Sequence, residues 1–178
     1  MPDMMKQYKE QVAPALLKKR GYKNVMEVPK LKKIVLSTGI NTSAERDVFN
    51  EAKLHFTAIS GQLPVITKST KNIANFKLRK GQPVGLMVTM RGARMYEFLD
   101  RLIHITLPRV RDFRGIPKKG FDGAGNYNFG VPDITVFTEI DLDKVKHPMG
   151  LNITMVTSAK NKEEAFDLLA LLDLPFAQ

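Results

Sequence analysis

The chain has 178 residues, 43% hydrophobic and 26% charged, with no cysteine. That length and balance suit one folded domain, residues 1–178, with a core of its own. The missing thiols exclude disulfides, thiolate metal sites and a cysteine nucleophile together. The opening MPDMMKQYKEQ lacks the apolar stretch of a signal peptide, and no apolar run reaches the ~20 residues of a membrane span, so a soluble, cytoplasmic protein with no membrane partner is expected.

The net charge of +10 is unevenly spread. Residues 1–131 hold 24 Lys and Arg against 10 Asp and Glu, a balance of 24 − 10 = +14; residues 132–178 hold 4 against 8, a balance of 4 − 8 = −4. From Lys53 to Tyr96 there are eight cations and no acid. Charge kept only for solubility would be mixed in sign, whereas a segregated positive field suits a polyanion.

Along the chain, Asp3 is expected to cap a first helix carrying Met5, Tyr8, Val12 and Leu16, bent or interrupted at Pro14 and ended by Gly21; residues 1–29 form an N-terminal helical extension. LKKIVLSTGI reads as a strand. Asp47 opens a helix burying Phe49, Ala52, Phe56 and Ile59, stopped by Gly61. LPVITK is a short strand, and VGLMVTMR a stronger one in which Val84, Leu86, Val88 and Met90 alternate. A helix over 93–107 follows, closed by Pro108. Residues 109–149 are a loop-rich insertion with weak strand signals at Tyr127–Val131 and Ile134–Phe137. GLNITMVTS is the last strand. Asn161 and Glu164 resemble a capping box for a final helix that buries Leu168, Leu169 and Leu172. The order β-α-β-β-α-β is the split βαβ plan: an α+β fold with a mostly antiparallel sheet and helices packed on one face. Residues 69–83 then form a protruding basic hairpin tip between two central strands.

Enzymatic signatures fail on inspection. GIPKKGF has the glycines of a phosphate loop but Phe121 where lysine must stand, and GAGNYNFG has the wrong spacing for a dinucleotide fingerprint. Asp122, Asn126 and Asn128 hint at calcium but lack the later carboxylate. His55, His104 and His147 are scattered, with no acidic partner at ligand spacing expected, and Asp141 with Asp143 reads as a solvated edge. No catalytic residue, metal or cofactor is expected.

Two segments carry stronger signals. The tip holds Lys68, Lys71, Lys77, Arg79 and Lys80 around Phe76, with Asn72 and Asn75 as hydrogen-bonding groups. Cations attract phosphates, and an aromatic can stack on an exposed base. The stretch RVRDFRGIPKKGFDGAGNYNFGV, residues 109–131, combines five cations, five glycines and four aromatics. Arg109, Arg111 and Arg114 each present a planar donor fork suited to phosphate oxygens. Phe113, Phe121, Tyr127 and Phe129 are read as the loop's own small core.

The stretches GYKNVMEVPKLKKIVLSTG, ISGQLPVITKS, NFKLRKGQPVGLMVTMRGARMYEFLDRLI, LPRVRDFRG, FDGAGNYNFGV, FTEIDLDKV and LPF together make the chain resemble the bacterial uL5 family of large-subunit ribosomal proteins over almost its full length. The resemblance implies a non-enzymatic structural protein of the ribosome's central protuberance that binds 5S rRNA. Its 5S rRNA-facing positions would be Ser37, Thr38, Gln62, Thr67, Thr89, Arg91, Arg94, Arg109, Arg111 and Arg114. The tip, Lys68, Lys71, Asn72, Asn75, Phe76, Lys77, Arg79 and Lys80, would contact P-site tRNA. Further implied partners are 23S rRNA, neighbouring large-subunit proteins and a small-subunit head protein. Ala124 and Leu63 stand where the family often has cations, Ser37 where asparagine is common, and Pro132–Asp133 where an arginine–glutamate pair is usual.

Overall fold

A computed structural model describes residues 2–41 and 46–177, the side chains of Arg46 and Lys144 apart. Five strands, β1 (Leu31–Gly39), β2 (Val65–Lys68), β3 (Pro83–Met90), β4 (Tyr127–Val131) and β5 (Leu151–Thr157), form a sheet of order β2-β3-β1-β5-β4. The four strands β2, β3, β1 and β5 keep the order of the split βαβ plan, and β4 is added beside β5. The α-helical segments are α1 (Asp3–Gln7), α2 (Ala13–Arg20), α3 (Arg46–Ser60), α4 (Gly92–Arg101) and α5 (Lys162–Leu171). By packing, the chain divides into two compact units, one made of Met1–Ile34, Met90–Phe129 and Ile153–Gln178, the other of Val35–Thr89 and Gly130–Asn152.

In the first unit, α1 and α2 are joined by a π-helical turn over Tyr8–Val12, and α4 runs into another over Leu102–Thr106. Each turn ends two residues before a proline, Pro14 or Pro108. A proline ring collides with the carbonyl four residues back, and these carbonyls, of Glu10 and His104, sit at the centres of the two π turns. The wider turn absorbs the collision: at Pro14 the chain continues as α2, whereas at Pro108 it closes in a 3-10 turn over Leu107–Arg109. Pro14 therefore widens the helix rather than interrupting it. Met4, Val12 and Leu16 are the residues of this rod that are buried, while Met5 and Tyr8 are half-buried. Asp3 is the first helical residue and not its cap: it makes no capping hydrogen bond and lies 3.7 Å from Lys6. Gly21 closes α2, its N–H donating to the Leu17 carbonyl. Asp167 of α5, only 7% exposed, accepts from Lys19 Nζ at 2.8 Å and Arg20 Nε at 2.7 Å, tying α5 to the end of α2. At the start of α5, Asn161 makes no side-chain cap, and the Glu164 carboxylate accepts at 3.0 Å from the N–H of Lys160, one residue before the cap, in place of the N-cap N–H of the expected capping box.

In the second unit, Ile40, Ala52 and Leu86 form a buried cluster joined by Val48, Phe49, Ile66 and Met149, which seats α3 on β1, β2 and β3. The segment read as a strand at Ile134–Phe137 is a 3-10 turn over Ile134–Val136, because the Asp133 carboxylate accepts from the Thr135 N–H at 2.9 Å and closes the chain on itself. β2 pairs antiparallel with β3, Val65 facing Met87 and Thr67 facing Gly85. Since β2 lies at the sheet edge, the basic hairpin springs from an edge strand and its neighbour rather than from two central strands. A Cβ on Gly85 would fall on the Thr38 carbonyl oxygen and 3.3 Å from Thr67 Oγ1. Gly85→Ala must therefore push backbone apart, and a loss of about 1–3 kcal/mol is expected in urea unfolding; wild-type stability would mean that β1 and β3 are not so closely apposed.

Candidate nucleic-acid interface

The loop after α4 is a constructed feature of the first unit. Phe121, Tyr127, Phe166 and Phe176 pack ring against ring, with centroids 4.5 Å apart for Phe121–Tyr127 and 4.8 Å for Phe166–Phe176, and Phe129 lies 5.7 Å from Tyr127. Such pairs contribute beyond the area they bury. Tyr127 is fully buried, its hydroxyl donates to the Pro117 carbonyl at 2.8 Å, and burial pushes its pKa up to about 12. Phe113, read as part of this core, is half-buried outside the ring cluster.

The chain end completes the anchorage. Ile116 bridges Phe176 in parallel, its N–H donating to the Pro175 carbonyl at 2.8 Å and its own carbonyl accepting from the Ala177 N–H at 3.0 Å. Gly115 permits this approach: its φ is +100° and a Cβ would sit 2.5 Å from the Ala177 nitrogen. The turn FDGAGNY is closed by Asp122, whose carboxylate accepts from the N–H groups of Ala124 (3.0 Å) and Asn126 (2.7 Å) and from the Asn126 side chain (2.8 Å). These bonds, the Asn126 side chain foremost, hold its carboxyl below the usual range. The calcium-like spacing is thus a self-satisfied turn.

On this scaffold Arg109, Arg111 and Arg114 are exposed and make no ion pair among the described residues, although Asp112 lies among them. Asp112 has a positive φ of 54°. Arg91, just before α4, and Arg94, in its first turn, are also exposed.

The second unit brings together the remaining positions. Leu36, Thr38 and Ile40 are buried, so Val35 and Ser37 lie on the other face of β1; Leu86 and Val88 likewise leave Met87 and Thr89 on the other face of β3. Register adds Val65 and Thr67 to that face, and it carries the half-buried hydroxyls of Ser37, Thr67 and Thr89 among apolar neighbours. Thr38 is turned the opposite way, 6% exposed, with its hydroxyl donating to the Gly150 carbonyl at 2.7 Å. Gln62 is half-buried beside the end of α3, where its N–H meets Ser60 Oγ.

The tip has an ordered backbone without a core. Ser69 and Gly81 or Gln82 exchange hydrogen bonds of 2.8 Å, and Ile73 and Leu78 form a two-bond bridge at 3.0 Å. Asn72 Oδ1 accepts from the Lys80 N–H at 2.7 Å and Gln82 Oε1 from the Arg79 N–H at 2.8 Å. Asn72 is therefore a brace of the tip. Lys68, Lys71, Lys77, Arg79 and Lys80 are exposed and make no ion pair among the described residues.

The histidines, expected to lack acidic partners, all have them. His104 Nδ1 lies 2.8 Å from Asp100. Glu51 accepts from His147 Nδ1 at 2.8 Å and from the Lys146 N–H at 2.7 Å, with His55 Nε2 at 3.5 Å. The four-residue spacing of Glu51 and His55, and of Asp100 and His104, was the available signal; His147 gave none. Among the described residues no group of three or more His, Asp or Glu could hold a metal, and no helix is long and apolar enough to cross a membrane.

Burial acts to raise the Glu51 carboxyl, but the bonds from His147, Lys146 and His55 outweigh it and bring it to about 2 from an ordinary 4.5. A carboxyl lowered by folding stabilises the native state above its unfolded pKa and loses that contribution as pH falls from about 4.5 through about 2. Glu51→Gln is expected to lower stability by roughly 1–2 kcal/mol at neutral pH and to flatten the acid limb of a urea-stability profile in that window. Superimposable acid limbs would remove Glu51 from this role.

Two family models match the chain: "Ribosomal protein L5" over residues 24–79, and the model for the C-terminus of the same ribosomal protein family over residues 83–176. Among curated proteins, "Large ribosomal subunit protein uL5" of Syntrophotalea carbinolica is 52% identical, covering 95% of this chain and 92% of its own length. The protein of the same description from a Thermoanaerobacter species is 49% identical over the whole of both chains, and that of Mesoplasma florum 50% identical over 96% of each.

Proposed function

The chain belongs to the bacterial uL5 family of large-subunit ribosomal proteins, a family of structural rather than enzymatic proteins, and on that premise we propose that it binds 5S rRNA in the central protuberance and reaches P-site tRNA with its basic hairpin. The observation that carries the reading is the set of exposed arginines, Arg109, Arg111 and Arg114, without an ion pair among the described residues, on a loop locked by an aromatic cluster around the buried Tyr127. An anchored guanidinium loses less freedom on meeting a phosphate than one on a slack loop, and no internal carboxylate has to be displaced first. Arg91 and Arg94 add cations in the same unit.

In the other unit, Ser37, Thr67 and Thr89 offer neutral donors and acceptors on a face with no aromatic ring. That suits folded RNA recognised by shape and 2′-hydroxyls better than unpaired bases needing a stacking platform. The Thr38 hydroxyl lies on the opposite, buried side of β1 and donates to the Gly150 carbonyl, so it is not part of this face. The tip, with five exposed cations that make no ion pair among the described residues and no acid from Lys53 to Tyr96, supports the tRNA contact. Contacts with 23S rRNA, with neighbouring proteins and with a small-subunit head protein in the cytoplasmic ribosome belong to the same proposal.

The test is binding to 5S rRNA and to an unrelated folded RNA of similar length across a salt series. A preference for 5S rRNA that persists at physiological salt is expected, and Arg111→Ala and Arg114→Ala should each weaken binding and flatten the logarithmic salt slope by about one. Equal affinities that collapse together with salt would reduce the chain to a general RNA chaperone.

A further inference from the structure

The tip has a concave side. A cleft of about 580 Å³ lies under it, its apolar wall formed by Ile40, Leu78 and Val84 and its rim by Asn41, Asn75, Phe76 and Lys77. Phe76 is 68% exposed, the most exposed phenylalanine among the described residues, whereas those of the loop cluster are half-buried. It is nevertheless presented on a defined backbone. The 3-10 turn Ala74–Phe76 ends on Lys77, whose φ is +53° and whose N–H donates to the Ala74 carbonyl at 3.0 Å. The Ile73–Leu78 bridge closes this turn at its base.

An exposed aromatic rimmed by an amide side chain and a cation, within a segment free of acids, matches one kind of ligand group. The ring offers a flat apolar face, the asparagine offers a paired donor and acceptor, and the lysine offers charge. These complement respectively the face of a nucleobase, its hydrogen-bonding edge and its phosphate. We propose that this cleft receives a single unstacked base of a bound RNA, stacked on Phe76, with its edge toward Asn75 and its phosphate toward Lys77. The inference rests on the tip being an RNA contact and adds that the contact includes a base and not only the phosphate backbone. Because the turn is already closed by its own hydrogen bonds, little ordering is required on binding.

The test uses the full chain and a short single-stranded RNA carrying aminopurine, whose fluorescence is quenched when it stacks on an aromatic ring. The wild-type chain and Phe76→Tyr are expected to quench it at saturation. Phe76→Ala and Phe76→Leu should not quench it, and should bind roughly tenfold more weakly with an unchanged salt slope, since no cation is lost. Substituting Lys71, Arg79 and Lys80 by alanine should instead flatten the slope. Quenching and affinity that survive Phe76→Leu, with the slope still responsive to the three cations, would overturn the base cleft and leave the tip as a phosphate contact. Wild-type affinity and slope after loss of the three cations would overturn the tip reading and the cleft together. The side chain is on the surface, so thermal melting of the Phe76 variants should match wild type.

Discussion

A cation can meet a phosphate only if it has not already been neutralised by its own chain, and the disposition of the acids follows from that constraint. Carboxylate after carboxylate is committed to backbone N–H groups: Asp122 to Ala124 and Asn126, Asp133 to Thr135, Asp141 to Asp143, Glu51 to Lys146 and His147, Glu164 to Lys160. Asp167 engages cations strongly, and these are Lys19 and Arg20 at a helix junction, where the pair braces α5. Exposed ion pairs contribute little to stability, about 0–1 kcal/mol each. That Arg109, Arg111, Arg114 and the tip cations make no ion pair among the described residues therefore costs the fold almost nothing.

Periodicity and charge made most of this legible in the sequence. The alternation of Leu86, Val88 and Met90, the α3 face of Ala52, Phe56 and Ile59, and the final helix of Leu168, Leu169 and Leu172 all reflect burial that repeats at a fixed spacing, and all are buried as read. The loop rings were legible too, because four aromatics in a stretch without a hydrophobic period have to pack on something. What escaped was set by single local bonds or by distant chain. One side-chain bond at Asp133 is enough to replace a short strand with a 3-10 turn. Glu51 and His147 lie 96 residues apart, and no local pattern connects them. The parallel bridge between Ile116 and Phe176 is hidden for the same reason, although the run LPF already marked the chain end as part of the family pattern.

Ser37 and Thr38 show how strand geometry separates neighbours that a sequence pattern carries together. In a strand, adjacent side chains point to opposite sides, so Ser37 and Thr38 cannot both lie on one face. The resemblance carried them as a pair; the burial of Leu36, Thr38 and Ile40 separates them. The threonine hydroxyl is then explained by the Gly150 carbonyl that it satisfies, as a buried polar group must be.

The loop and the tip present exposed cations by different physical means. The loop packs half-buried phenylalanines around the buried Tyr127 and adds a chain-end bridge, so its arginines emerge from a region that resists local opening. The tip has no such core. Ile73 is 41% exposed and Phe76 68%, and order comes from short hydrogen bonds in which Asn72 and Gln82 supply side-chain acceptors for the N–H groups of Lys80 and Arg79. Hydrogen bonds open to water stabilise less than buried packing, so the tip belongs to the low-stability end of the molecule. The loop, whose ring cluster and chain-end bridge anchor the backbone that carries its arginines, belongs to the opposite end of that range.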